Sequence, residues 1–203
     1  MRPKRTRKDS EKKKEEILRT VLQLFLKKGY NATSTNDICS AAKLAKPTLY
    51  YYFGSKRNLL FSLHESHLNR FLTPYIEAAT AMENPEERLF FMIRAYTKMI
   101  CAQPELRFLI HETLGFKDKY FLQVKKAWKN HYILLRDTIV ILQRSGRVAP
   151  TLKPSWAALF LIGMMTWITF WFDFKRDEQI DEIAESAVAF ASRALGLRSG
   201  SGP

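Results

Sequence analysis

The stretch from residue 33 to residue 56, TSTNDICSAAKLAKPTLYYYFGSK, constrains the fold of this 203-residue chain more than any other. It predicts a helix, a three-residue turn, a second short helix and the capped start of a third. Polar and aromatic groups follow the second of these helices, where a hydrophobic core would not take them. This layout is typical of a helix-turn-helix whose second helix enters the major groove of DNA.

Basic charge is concentrated at the same end of the chain. Residues 1–57 contain 15 Lys and Arg against 5 Asp and Glu, a net of +10, whereas the other 146 residues contain 18 against 15, a net of +3. Because the charge coincides with the helix-turn-helix pattern, it favours nucleic acid as the partner. The alternative interpretation is a solvated basic tail.

The hydrophobic periodicity is helical throughout, and no segment alternates as a strand would. The predicted fold class is all-α with nine helices, three of them in an N-terminal helix-turn-helix domain and the rest in a larger helical bundle. Gly29 is expected to end the first helix, Ser34 and Asp37 to form a capping box on the second, and Asn84 to cap a later one. Expected bounds are about 11–28, 34–42, 56–80 with a kink at Pro74, 104–115, 118–145, 154–174 and 178–195.

The side chains expected to contact DNA fall into groups by their chemistry. Hydroxyls at the start of the second helix, and a lysine in the first turn of the fourth, suit phosphate groups: Ser34, Thr35 and Lys56. A lysine, a hydroxyl and apolar carbons on the recognition helix suit base edges: Lys46, Pro47, Thr48 and Tyr50. Hydroxyls for the DNA backbone are expected from Tyr51 and Tyr52. Leu49 and Phe53, four residues apart, are expected to face inward.

The segment GYNATSTNDICSAAKLAKPTLYYYFGSKRNLL resembles the DNA-binding region of the TetR family of bacterial transcriptional regulators. The resemblance covers about residues 14–63, and it assigns DNA contact to Thr35, Lys46, Pro47, Thr48, Tyr50, Tyr51, Tyr52 and Lys56. Two residues depart from the family pattern. Lys43 stands where the turn usually has glycine, and Ala45 stands where the third helix usually has a Ser or Thr cap.

The resemblance also implies a homodimer that binds double-stranded operator DNA, with an effector pocket in the larger domain and a four-helix interface from two C-terminal helices per subunit. The charge-free segment 156–172 and the amphipathic segment 178–195 suit that interface from their residues alone. The expected organisation is a basic flexible arm at 1–13, a DNA-binding domain at 14–57, a ligand-binding and dimerisation domain at 58–197 and a flexible tail at 198–203.

The larger domain is rich in aromatic and Met side chains, which predicts an apolar effector site, although each of them also suits ordinary core packing. The residues expected at this site are Tyr96, Phe108, His111, Trp128, Tyr132, Met164, Trp167 and Trp171. The segment GMMTWITFWFDF is similar to the acyl-CoA- or fatty-acid-responsive subgroup of the family, but it lacks an internal basic residue. The cations available for coenzyme A phosphates are Arg107, Lys125, Lys126, Lys129, Lys175 and Arg176. The alternative is a multidrug-binding regulator of an efflux pump.

Other classes of function find little support. The sequence has no Gly-rich phosphate loop, nucleophile elbow or zinc spacing, so we predict no enzyme, catalytic residue, metal or cofactor. His64 and His67 are three apart but lack a third ligand, and Cys39 and Cys101 are expected as free thiols. An architectural DNA-binding protein would leave the aromatic domain unexplained. The charged amino terminus lacks the apolar core of a signal peptide, so we expect a cytoplasmic protein. The 156–172 segment is slightly short and has charges on both sides, so we expect no membrane span. The sequence does not identify the effector, the operator or the target genes, nor does it separate a repressor from an activator.

Overall fold

The computed structural model describes residues 7–114, 119–173 and 177–197, and within them every regular element is helical. The helices are α1 (Arg7–Lys28), α2 (Thr35–Ala41), α3 (Lys46–Phe53), α4 (Lys56–His67), α5 (Thr73–Ala81), α6 (Pro85–Ala102), α7 (Pro104–Leu114), α8 (Lys119–Arg144), α9 (Pro154–Trp171) and α10 (Ile180–Ala194). A π turn (Leu68–Leu72) joins α4 to α5 without a break, and a short 3-10 turn (Asp177–Gln179) precedes α10. The described residues therefore form nine continuous α-helical segments, which confirms the predicted all-α, nine-helix fold.

The π turn lies where the sequence predicts a kink. Pro74 is the second residue of α5, has no N–H to donate, and its ring crowds the carbonyl of Arg70 four residues earlier. A π turn widens the backbone at that carbonyl, so the helix continues past the proline instead of ending.

The first helix begins earlier than expected. It starts at Arg7, not near residue 11, so much of the predicted 1–13 arm is helical, while residues 1–6 lie outside the described part of the chain. Asp9 in the first turn and Lys27 and Lys28 in the last turn have the charge signs that the helix dipole favours. Lys13 also pairs with Glu16 three residues on, at 3.2 Å between Nζ and Oε2.

The chain divides into two compact units. The first contains residues 7–67 together with residues 108–114 of α7. Its core is built by apolar side chains at helical spacing on α1, α2, α3, α4 and α7: Ile17, Val21, Phe25, Ile38, Leu49, Phe53, Leu59, Leu60, Leu63 and Leu109. The boundary predicted at residue 57 falls inside α4, which contributes three of these core residues. The predicted 198–203 tail lies outside the described residues.

The second unit contains residues 68–107 and the described residues from 119 onward. Helix α6 is central to it and packs against α5, α8, α9 and α10. The buried side chains of α6 repeat every three or four residues: Leu89, Met92, Ile93, Tyr96, Thr97, Ile100 and Cys101. Arg94 and Lys98, on the outer side of α6, pair with Glu185 and Asp181 of α10, and such exposed pairs contribute little to stability.

Helix α9 is, within the described residues, the one helix long and apolar enough to cross a membrane. A single helix of this kind is weak evidence for a span, because helices of soluble proteins pass the same test. In this chain α9 buries one stripe of small and medium side chains against α6 and α8: Ala157, Ala158, Leu161, Met165 and Thr169.

Candidate nucleic-acid interface and effector core

The start of α2 is held by the predicted capping box. The Asp37 N–H donates to Ser34 Oγ at 3.1 Å, and the Ser34 N–H and hydroxyl both donate to Asp37 Oδ2 at 2.7 Å. Lys28 Nζ donates to the same oxygen at 2.8 Å, and these hydrogen bonds lower the pKa of Asp37. Because the Ser34 hydroxyl already donates to Asp37, a phosphate at this position would have to displace that hydrogen bond. Thr35, the first residue of α2, is half-buried.

The turn between α2 and α3 has the strained residue that the sequence predicts. Lys43 adopts φ 51°, and among the described residues it is the non-glycine position with a positive φ. The turn is closed by the Leu44 N–H, which donates to the Cys39 carbonyl at 3.0 Å. A lysine in this conformation costs about 1 kcal/mol relative to glycine, and its side chain is exposed to solvent.

Helix α3 presents polar and aromatic groups outward from a small buried base. Leu49 and Phe53 are buried, as predicted, whereas Tyr50 is 47% exposed and Tyr51 is 80% exposed. Tyr52 is half-buried, with its ring centroid 6.1 Å from that of Phe53. Two further residues of the predicted surface, Lys46 and Pro47, are exposed, and Thr48 is half-buried. Ala45 precedes α3 without a side-chain cap, also as predicted.

Lys56, the first residue of α4, interacts with other side chains of the first unit. Its Nζ lies 4.2 Å from the ring centroid of Tyr30, within the range of a cation–π interaction. Burial lowers the pKa of Lys56, and the carboxylates of Glu112 and Asp37 partly offset that effect. Glu112 belongs to the α7 segment of this unit, so a helix remote in sequence bears on a predicted phosphate contact.

The residues predicted for the effector site separate into three groups. Tyr96 is buried, and Trp128, Tyr132 and Met164 are half-buried against the core of the second unit. Phe108 instead packs in the first unit, with its ring centroid 6.1 Å from that of Phe25, and His111 lies in the same segment of α7. The third group, Trp167 and Trp171, is 58% and 77% exposed on α9.

Sequence reasoning missed a polar cluster at the centre of the second unit. We define the His131 cluster as Tyr75, Tyr96, Trp128 and His131. The His131 ring centroid lies 4.7 Å from that of Tyr96, 5.4 Å from that of Tyr75 and 6.3 Å from that of Trp128. Tyr96 OH lies 3.0 Å from Thr166 Oγ1, and burial raises the pKa of Tyr96 to about 12.

The cluster contains a polar atom without a partner. His131 is fully buried, and burial lowers its pKa to about 4. Its Nε2 lies 3.1 Å from Tyr75 OH, but its Nδ1 has no hydrogen-bond partner within the described part of the chain. Unpaired buried groups of this kind are rare in folded proteins and call for an explanation.

One side of α9 is apolar yet exposed. We define the α9 face as Trp156, Phe160, Gly163, Trp167, Phe170 and Trp171, which recur every three or four residues and so lie on one side of the helix. The exposed fractions of Phe160 and Trp171 reach 72% and 77%. A Cβ built on Gly163 would meet no atom within 4 Å. Exposed apolar patches rimmed by polar residues mark interaction sites.

Comparison with known proteins identifies the family. Residues 17–63 match the family described as bacterial regulatory proteins, tetR family, and residues 82–195 match the tetracyclin repressor-like C-terminal domain. The chain belongs to the TetR family. One match lies in the first unit and the other mostly in the second, so the resemblance read from the helix-turn-helix extends to the larger domain.

Individual relatives agree with this assignment. An uncharacterized HTH-type transcriptional regulator of Bacillus subtilis, YuxN, is 32% identical over 111 residues, which is 55% of this chain and 34% of YuxN. The fold is similar to that of AibR solved with isovaleryl coenzyme A and operator DNA, with a TM-score of 0.77, 24% identity, and coverage of 88% of this chain and 97% of AibR. FadR from Bacillus subtilis, solved with stearoyl-CoA, gives a TM-score of 0.74 at 17% identity, with coverage of 88% and 97%. The chain spans about a quarter to under half of the length of the first curated relatives it matches.

Contacts with DNA and with coenzyme A phosphates remain predictions for the residues assigned to them. The TetR-family helix-turn-helix places Lys46, Tyr50 and Tyr51 on the outside of α3, but contact with DNA is untested. The cations suggested for coenzyme A include Lys125, Lys126 and Lys129, which are exposed on α8, and Arg107, whose guanidinium donates to the Thr169 carbonyl at 3.5 Å. Lys175 and Arg176 lie outside the described residues.

Proposed function

We propose that this TetR-family protein is a cytoplasmic transcriptional repressor that binds operator DNA as a homodimer and is released by an apolar effector, an acyl-CoA or a fatty acid. One observation carries the DNA-binding part of the proposal. The short helix α3 buries only Leu49 and Phe53, and it presents Lys46, Tyr50 and Tyr51 to solvent within the domain that carries most of the positive charge.

The side chains of α3 suit a recognition helix that contacts base edges in the major groove. A lysine donates to guanine O6 and N7, and proline and threonine carbons contact thymine methyl groups. The tyrosine hydroxyls and the basic residues around α2 and α4 supply contacts to phosphates, which fix the register of the helix in the groove.

The α9 face supports the homodimer. Large aromatic side chains exposed along one side of a helix are stabilised when a second copy covers them. A dimer must place its two recognition helices about 34–36 Å apart, one turn of DNA. A ligand that rotates the subunits by a small angle changes this spacing, and both helices can then no longer dock at once.

The ligand class rests on the composition of the second unit and on relatives. The half-buried aromatic and Met side chains near Tyr96 suit an acyl chain, and the lysines of α8 suit phosphates. AibR and FadR, two proteins of similar fold, were solved with acyl-CoA esters, and AibR also with operator DNA. A multidrug-type regulator would use the same apolar residues, and the ligand test below separates the two.

The DNA surface is tested with operator DNA selected from a random pool. We expect Lys46→Ala and Tyr50→Ala each to lower operator affinity at least about tenfold, because each removes a contact to the bases. Fluorescence anisotropy measures the affinity, and Lys126→Ala, an exposed lysine on α8, is the matched control. Unchanged affinity in the two α3 variants, with the dimer intact, would show that α3 is not the recognition helix.

The interface is tested by placing a charge on the α9 face. We expect Phe160→Glu to convert the dimer to a monomer, because the glutamate would be desolvated at the centre of an apolar contact. Leu122→Glu is the control, since Leu122 is 63% exposed on α8 and lies off this face. Sedimentation velocity measures the oligomeric state, and a Phe160→Glu protein that remains dimeric would move the interface elsewhere.

The effector class is tested by release from the selected operator. We expect long-chain acyl-CoA esters or fatty acids to release the protein and to raise its melting temperature with concentration, as linkage requires. Cationic dyes should have no effect. Release by dyes alone would replace the acyl-chain proposal with the efflux-pump alternative.

A further inference from the structure

The protonation state of His131 follows from its surroundings. The side chain is fully buried among the rings of Tyr75, Tyr96 and Trp128, and burial lowers its pKa to about 4. The ring is therefore neutral at pH 7, and one of its two nitrogens carries a hydrogen while the other is an acceptor.

The hydrogen-bond geometry decides which nitrogen carries the hydrogen. Tyr75 OH donates its single hydrogen to the Met92 carbonyl at 3.1 Å. The 3.1 Å contact between the same oxygen and His131 Nε2 must then be donated by the histidine. Nε2 is the N–H, and Nδ1 is left as a lone-pair acceptor.

The acceptor at Nδ1 is buried and has no partner within the described residues. Leaving a buried acceptor unpaired costs about 1–3 kcal/mol, so a molecule that donates a hydrogen bond there gains affinity. The rings around it are apolar, and small-molecule sites combine such walls with a few polar groups that fix the ligand.

We propose that His131 Nδ1 is the polar anchor of the effector site and that the effector is an apolar molecule whose hydroxyl or amide N–H donates to it. This inference rests on the proposed effector-responsive function and narrows its chemistry. A fatty-acid anion and a thioester carbonyl offer only hydrogen-bond acceptors, so they could not pair with the lone pair of Nδ1. The amide N–H of a pantetheine arm, or a hydroxyl on the acyl chain, would satisfy it.

The first experiment uses two probes that differ by one donor, 1-dodecanol and dodecyl methyl ether, with the full chain. Calorimetry should show the alcohol binding about tenfold more tightly than the ether, the difference expected for one buried hydrogen bond. Long-range proton–nitrogen spectra of nitrogen-15-labelled histidine should show His131 as the Nε2–H tautomer. The Nδ1 resonance should move upfield with the alcohol and not with the ether.

Substitutions separate the anchor from the surrounding structure. His131→Gln can keep a donor for Tyr75 but has no acceptor at the Nδ1 position, so the preference for the alcohol should fall to less than about twofold. His131→Asn can place an amide oxygen near that position and should restore part of the preference. Tyr75→Phe removes the hydroxyl that accepts from Nε2–H. It should therefore shift His131 towards the Nδ1–H tautomer and weaken the preference for the alcohol.

Several outcomes would overturn the proposal. These are equal affinity for alcohol and ether, no binding of the alcohol, or an Nδ1 resonance already shifted by a bound water and unchanged by the probe. The spectra need only the unsubstituted chain, so poor folding of a variant does not remove the test. Release from operator by an acyl-CoA ester, equal in the unsubstituted chain and in His131→Gln, would refute the anchor while leaving the proposed function standing.

Discussion

The side-chain hydrogen bonds described for the first unit join residues close in sequence, whereas the second unit adds to such local bonds several between residues far apart in sequence. In the first unit, Ser34 and Asp37 are three residues apart, as are Ser55 and Asn58, and Thr33 bonds to the carbonyl of Gly29 four residues back. In the second, Tyr75 meets His131 across 56 residues, and Tyr96 meets Thr166 across 70. The DNA-reading surface is thus specified by short segments, and the polar centre of the second unit exists only when α5, α6, α8 and α9 are assembled.

Acidification gives the largest expected effect, because each unit buries one histidine. Burial lowers the pKa of both His64 and His131 to about 4, below the ordinary value of 6.5. The unfolded chain binds more protons between these values, so stability is complete above pH 6.5 and is lost as the pH falls towards 4. We expect a loss of about 3 kcal/mol per histidine, measured by urea denaturation at pH 7 and pH 4.

The two histidines can be told apart by substitution. His131→Gln should remove the acid sensitivity of amide hydrogen exchange in α6 and α8 and leave that of α4 unchanged. If His131→Gln removes the acid sensitivity of amide exchange in α4 as well, the two units do not respond to acid independently.

Removing a local cap should have a smaller effect that stays within the first unit. Ser34→Ala deletes the hydroxyl that accepts from the Asp37 N–H, and we expect a loss of about 1 kcal/mol. Ser40→Ala is the matched control, because Ser40 is exposed at the other end of α2, and it should change stability by less than about 0.5 kcal/mol. Faster amide exchange in α6 on Ser34→Ala would contradict the local nature of the cap.

The smallest expected effect is a gain at the turn. Lys43→Gly relieves the positive φ, and we expect the free energy of unfolding to rise by about 0.5–1 kcal/mol. Lys43→Ala keeps the strained conformation and should give no gain. If operator affinity falls in both variants alike, the lysine side chain contributes to phosphate binding in spite of its strain.

The predictable features of this protein are those that depend on neighbours in sequence. The capping box at Ser34 and the inward pair Leu49 and Phe53 could be predicted because each depends on residues three or four positions apart. The nine-helix count followed from hydrophobic spacing in the same way. The strained Lys43 was predicted from the resemblance to the TetR-family turn, which usually has glycine at that position. The early start of α1 at Arg7 was missed because a charged segment has no apolar periodicity, although its charges suit the helix dipole.

The effector core was less accessible to sequence reasoning. Helical spacing shows that Tyr96 and Phe108 each lie on an apolar face, but it does not show which helix that face meets. Phe108 packs against Phe25 in the first unit, and Tyr96 packs against His131 in the second. His131 lies on the apolar face of α8, three residues after Trp128 and four before Leu135. This spacing predicts burial but does not show which rings the histidine meets.

Gly163 lowers the stability of α9, and no contact within the single chain explains why a glycine stands there. A glycine inside a helix costs about 1 kcal/mol relative to alanine, and the space above this one is empty in the monomer. Alanine at this position would stabilise the isolated subunit without a clash. A pair of crossed helices would give the glycine a role, because two backbones approach most closely where neither has a side chain.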